Sequence, residues 1–132
     1  MIKIYTDGAA RGNPGPAASG FVIFRGDKLI KKSAKYIGIA TNNIAEYQAI
    51  INALRVCPRD EEIKLFSDSK LVVNQLNGKY KVKKEHLKKL YAKAKLLMKE
   101  LNIEKIEWVT RDTPGIVIVD SLIKKELKKF RV

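Results

Sequence analysis

Cysteine is almost absent from this chain. Its one thiol, Cys57, rules out an intramolecular disulfide and any zinc site built from thiolates. A buried, reduced cysteine in a cytoplasmic protein is the expectation. Histidine is equally scarce: the only one, His86, falls at the edge of a lysine-rich helix, where a solvated role is expected rather than catalysis. Long apolar runs are missing, so no segment is suited to span a bilayer. The first residues, Met1 to Tyr5, lack the apolar core and cleavage site of a secretion signal. There is no linker, solenoid-length repeat or low-complexity tract, and 132 residues fit a single domain spanning 1–132. Negative charge is also in short supply. The chain has 27 Lys and Arg against 14 Asp and Glu, a formal net charge of +13. That surplus points to an anionic partner, nucleic acid ahead of a membrane surface. The structural alternative is the lysine-rich exterior of heat-adapted proteins.

The pattern along the chain predicts an α/β fold. Residues 1–7 alternate Ile2, Ile4 and Thr6 against Lys3, Tyr5 and Asp7, a strand period. Gly8 to Pro16 reads as a turn. Residues 20–24 form a strand, and Gly26-Asp27 opens a hairpin into a third strand over 29–37. Thr41-Asn42-Asn43 offers capping chemistry for a helix over 43–56 that stops before Pro58. A fourth strand is expected at 63–66 and a short helix at 69–76. Leu87, Leu90, Tyr91, Ala94, Leu97, Met98 and Leu101 mark the apolar stripe of an amphipathic helix over 84–101. A fifth strand at 103–109 and a closing helix at 121–130 complete the order β-β-β-α-β-α-α-β-α. That order implies one five-stranded mixed sheet flanked by helices.

Four acidic residues stand where structure alone has little use for them. Lys3-Ile4-Tyr5-Thr6-Asp7 and Lys64-Leu65-Phe66-Ser67-Asp68 match class by class, each ending a strand on an aspartate. If the two strands are neighbours, the carboxylates lie side by side, which is unfavourable unless a cation or a proton intervenes. The structural alternatives are a turn role for Asp7 before Gly8 and a helix N-cap role for Asp68 before Ser69. Glu46 shares a helix face with Ala49, Ile50 and Ala53, so its charge lies in an apolar stripe. Its alternative is a place at the rim, with the head in solvent. Asp120 precedes the closing helix, where an acid also favours a helix N-terminus. Together Asp7, Glu46, Asp68 and Asp120 are oxygen donors suited to Mg²⁺ or Mn²⁺. Two such ions about 4 Å apart are the usual apparatus of phosphodiester hydrolysis.

Three stretches resemble the motifs of type 1 ribonucleases H. Tyr5 to Ala17 (YTDGAARGNPGPA) looks like the family's opening signature, Thr41 to Tyr47 (TNNIAEY) its second motif, and Phe66 to Ser69 (FSDS) its third. Gln75 to Val82 is similar to archaeal and bacterial members that lack the extra basic protrusion. The resemblance implies a ribonuclease H-like fold and a two-metal endonuclease cutting the RNA strand of RNA/DNA hybrids to 5′-phosphate and 3′-hydroxyl ends. It implies that Asp7, Glu46, Asp68 and Asp120 are catalytic and bind the metals. Gly8, Gly12 and Asn13 would approach the RNA, Thr41 and Asn42 would hold the DNA strand's phosphate, and Asn43 would enter the minor groove. The end of the chain departs from the pattern. Trp108-Val109-Thr110-Arg111 fits, but the following loop is longer, lacks the histidine of some members, and has Ile116 where relatives carry asparagine. Asp112 therefore becomes a rival to Asp120 as the fourth ligand.

Lys79 to Lys99 holds nine lysines and one acid, Glu85. With the apolar stripe inward, Lys84, Lys88, Lys95 and Lys99 are expected to face solvent. Lys81, Lys83 and Lys84 are candidate contacts to a hybrid's backbone, against a purely solvated face as the alternative. A monomer is expected. Two other functions stay open at this level: a hybrid- or duplex-binding domain with little activity, and a nuclease of the same fold acting on double-stranded RNA.

Overall fold

The structure, a computed structural model, describes residues 1–130, so the last two positions of the expected 1–132 domain lie outside the described residues. Five strands form one sheet: β1 (Ile2–Ala10), β2 (Gly15–Arg25), β3 (Lys28–Ala40), β4 (Ile63–Ser67) and β5 (Glu107–Trp108), in the order β3-β2-β1-β4-β5. The first three run antiparallel, and β1, β4 and β5 run parallel. Four helices are interleaved: α1 (Asn42–Val56), α2 (Lys70–Leu76), α3 (Glu85–Glu100) and α4 (Pro114–Lys128). The sequence-based element order and the mixed five-stranded sheet are both found.

Alternation in β1 splits its side chains between two cores. Ile2 and Ile4 join Ile23, Leu65, Tyr47, Ile50 and Leu54 in the larger core, under α1 and then α3. Tyr5 faces the other way, into the smaller core that α4 closes with Val119, Ile123 and Leu127 over Ala18 and Val22. Burial of this order, about 1.5–3 kcal/mol per large aliphatic side chain, holds the three layers together. Cys57 is buried, as the sequence predicts.

The echo between the two strand motifs is a register. Lys3 pairs with Lys64, Ile4 with Leu65, Tyr5 with Phe66 and Thr6 with Ser67. The rings of Tyr5 and Phe66 stack at 4.8 Å, and the Thr6 hydroxyl donates to the Phe66 carbonyl at 3.1 Å. Because the ladder stops at Ser67, the next residue of each strand, Asp7 and Asp68, faces the space beyond the end of β4.

Several boundaries differ from the sequence reading. The turn expected over Gly8 to Pro16 shrinks to residues 11–14, because Gly8, Ala9 and Ala10 still pair with Ser19, Ala18 and Ala17. The fifth strand contracts from 103–109 to two residues. Before it, Ile106 spends its backbone N–H and carbonyl on the Asn77 side chain (3.0 and 2.9 Å) instead of on a ladder. Lys95 does not simply face solvent: its ammonium donates to the Leu76 carbonyl at the end of α2, at 3.1 Å, a favourable place for a cation. The largest difference is α4, which begins at Pro114 rather than at residue 121. Proline suits the first helical turn. The β-branched run Ile116-Val117-Ile118-Val119 has low helix propensity, but burial of Ile116 and Val119 against the sheet outweighs it. Asp120 therefore lies within the helix, not ahead of it.

Candidate active site

The carboxylates meet at the carboxyl end of β4, beside β1, where the chain passes to β2 on one side and β4 on the other. Open α/β sheets characteristically hold their ligand crevice at such a point. Asp7 is inside β1, opposite Gly20, so its turn alternative falls away. Its Oδ1 accepts from the Gly8 amide at 2.8 Å. Asp68 is not the helix cap either: Ser69 caps α2, its hydroxyl accepting from the Val72 amide at 3.3 Å. Glu46, one turn into α1, is only 7% exposed, so its head does not reach bulk solvent. Its Oε1 has no hydrogen-bond partner, the only such buried side-chain atom among the described residues. One oxygen each of Asp7, Glu46 and Asp68 lie within 4.8 Å of one another.

Gly8 makes this convergence possible. A Cβ at that position would fall inside the van der Waals envelope of the Ala45 and Glu46 backbone, so only glycine lets the first turn of α1 lie against β1. Ser19 secures the same contact from β2, its hydroxyl donating to the Ala45 carbonyl at 2.7 Å in the buried interior. Gly8, expected to let the RNA backbone approach, also lines the cleft over these carboxylates, while α1 occupies the space where its side chain would be.

The electrostatics follow from crowding. Burial, then the Asp68 charge, raise the Asp7 carboxyl from 3.8 to about 6. Glu46 is raised well above its ordinary value by burial and then by Asp7. Asp68 is raised by burial, with its own backbone amide and Arg111 pulling the other way and Asp120 adding to the rise. Three acids kept from ionising freely, around an oxygen without a donor, form a site that a bound cation would stabilise. Hard oxygen donors of this kind fit Mg²⁺ or Mn²⁺.

A cleft of about 600 Å³ opens over the cluster, and Asp120, Asn42, Asn43 and Arg111 also line it. Asp120 shares the cleft without belonging to the close triad; its Oδ2 pairs with Lys124 at 2.9 Å. Its rival Asp112 accepts from the Thr110 hydroxyl and does not line the cleft. Thr41 caps α1, accepting from the Ile44 amide at 3.2 Å. The Asn42 side-chain oxygen accepts from Ala10 at 2.8 Å, and the Asn42 amide donates to Asn13 at 3.0 Å. These bonds tie the exposed 11–14 loop, with Gly12 and Asn13, to the start of α1. Lys81, Lys83 and Lys84 are exposed in the segment before α3, and none lines the cleft. Sequence reasoning missed Lys124: its signal is the four-residue spacing from Asp120 on one helix, hidden while the helix was placed too late.

The RNase H family profile matches residues 1–122. The chain belongs to the RNase H family. The RNase H1 of the halophilic archaeon Halobacterium salinarum superposes with a TM-score of 0.88 at 37% identity, covering 97% of this chain and 98% of that one. LC11-RNase H1, isolated from compost and solved in complex with an RNA/DNA hybrid, superposes with a TM-score of 0.84 at 37% identity, covering 98% and 99%. A bifunctional protein of Mycobacterium tuberculosis is 41% identical over an alignment 119 residues long that covers 83% of this chain and 31% of that protein. The chain thus spans about a third of the length of that mycobacterial relative. No described helix is long and apolar enough to cross a membrane.

Proposed function

We propose that this RNase H family chain is a metal-dependent endonuclease that hydrolyses the RNA strand of RNA/DNA hybrids, leaving 5′-phosphate and 3′-hydroxyl ends. The observation that carries the reading is the buried, unpartnered Glu46 Oε1 grouped with Asp7 and Asp68. Such an arrangement costs stability in the empty protein and becomes favourable when a cation is held. A domain that only bound nucleic acid would gain nothing from clustered negative charge beside phosphate.

Asp7, Glu46 and Asp68 would hold one Mg²⁺ or Mn²⁺, and Asp7 with Asp120 a second. Two ions supply a nucleophilic water and a counter-charge for the leaving 3′-oxygen. The chain's own residues do the rest. Gly8 fixes the distance between Asp7 and Glu46, while Ser69 leaves Asp68 free by taking the capping role. Asn42 and Asn43 line the cleft, where 2′-hydroxyls and base edges of the hybrid's minor groove would offer partners. Thr41 and Asn42 at the start of α1 suit a DNA-strand phosphate, and Gly12 and Asn13 on the loop tied to them suit the RNA backbone. Lys81, Lys83 and Lys84 add sequence-independent attraction outside the cleft. The chain is taken to act as a monomer, and the buried thiol of Cys57 suits the cytoplasm.

The test is cleavage of a labelled hybrid beside matched duplex RNA and duplex DNA, with Mg²⁺, Mn²⁺ or EDTA. Metal-dependent cutting of the hybrid's RNA strand is expected. Absence of any metal-dependent cutting overturns the enzyme reading, and preferential cutting of duplex RNA moves the chain to the same-fold alternative.

A further inference from the structure

Asp120 is not an idle carboxylate waiting beside the triad. Its Oδ2 lies 2.9 Å from the ammonium of Lys124, one turn further along α4, and both residues line the cleft. The spacing is built into the helix, because residues four apart share a face. The position is anchored from below: Val119 and Ile123, adjacent to the pair, are buried in the smaller core, so the sheet fixes the direction in which Asp120 and Lys124 project. Asp7, Glu46, Asp68 and Arg111 line the same cleft.

We propose that Lys124 is the resident counter-cation of Asp120, an internal competitor that a divalent ion must displace to reach that carboxylate. The inference deepens the functional reading and rests on Asp120 being one of its cation-binding groups. Lysine suits such a role. Its ammonium is a compact charge on a flexible stem, and 67% of the side chain is exposed, so the pair is weak enough to exchange without disturbing the fold. Held by Lys124, Asp120 is kept at a fixed place on the cleft wall and its charge is partly neutralised. Once displaced, the ammonium remains in the cleft and is free to meet the phosphate of a bound strand. Lys124 is thus a positioning residue, setting how readily the Asp120 side takes up an ion. Without it, uptake tightens about two- to tenfold, the scale of one screened charge near a dication.

Mn²⁺ titration followed by electron paramagnetic resonance, without nucleic acid, reads this directly. The proteins compared are the wild type, Lys124→Met, Lys124→Arg, Asp120→Asn and the Asp120→Asn/Lys124→Met double variant. The weaker binding step should tighten about two- to tenfold in Lys124→Met and return toward wild type in Lys124→Arg. No gain should appear when Lys124→Met is added to Asp120→Asn. Equal binding by wild type and Lys124→Met overturns the proposal. So does a gain that persists in the Asp120→Asn background, since the lysine would then act as a general charge. A wild type that takes up no Mn²⁺ at all overturns the metal reading itself, a different and separable failure.

Discussion

Replacing Asp7 with asparagine should make the metal-free protein more stable. In the fold the Asp7 carboxyl is raised from 3.8 to about 6, first by burial and then by the Asp68 charge. A folded-state value above the unfolded one means that the fold favours the protonated acid. This contribution is therefore present in full below about pH 3.8 and is lost as pH rises through about 6. The interval corresponds to about 3 kcal/mol, and partial contact of the carboxylate with solvent reduces it to about 1–2 kcal/mol. Asparagine keeps an oxygen to accept the Gly8 amide at 2.8 Å, so little is lost in exchange. Thermal melts in EDTA at pH 7.5 should place Asp7→Asn about 4–8 °C above the wild type. The gap should narrow as pH falls toward 4. Adding Mn²⁺ should raise the wild type's melting temperature and leave the variant's nearly unchanged. A variant no more stable than the wild type at pH 7.5, or a gap that ignores pH, refutes the picture of an uncompensated carboxylate cluster.

Two further outcomes are open to measurement. Gly8→Ala forces a Cβ into the Ala45–Glu46 backbone; it should cost about 1–3 kcal/mol in urea unfolding and weaken Mn²⁺ uptake, and an alanine variant equal to the wild type in both would remove Gly8 from its role. Exchanging Lys81, Lys83 and Lys84 together for Gln should lower the salt dependence of hybrid affinity by about two to three in the slope of log K against log salt, and an unchanged slope makes these lysines a solvated face.

Much of this was legible in the sequence because the signals were local. The paired Lys-to-Asp motifs set their aspartates side by side if the strands are neighbours, and β1 and β4 do pair, residue for residue. Glu46 in an apolar stripe predicted a buried acid, and the buried oxygen without a donor is its physical form. What was hidden depends on tertiary packing. Ile116 to Val119 carry little helix propensity, and only the sheet beneath makes them the start of α4. That misplacement moved Asp120 off its helix and concealed Lys124, which no local pattern marks until both share one face. Gly8 was readable as a glycine needed for close approach, but the backbone that approaches it, that of Ala45 and Glu46 in α1, lies far along the chain. Likewise Lys95, read as a solvent-facing charge, acquires its carbonyl partner only when α2 and α3 are brought together.

The most direct measurement is cleavage of a hybrid bearing a labelled RNA strand, under single-turnover conditions in Mn²⁺, by the wild type and by Asp68→Asn. Asp68 is neither cap nor core, so its amide should leave the fold intact and remove one ligand from the cluster. Loss of several kcal/mol of transition-state stabilisation, about 10³-fold in rate, is expected, with wild-type products ending in 5′-phosphate. Equal cleavage by the two proteins would contradict the assignment of Asp7, Glu46 and Asp68 as the centre of the reaction.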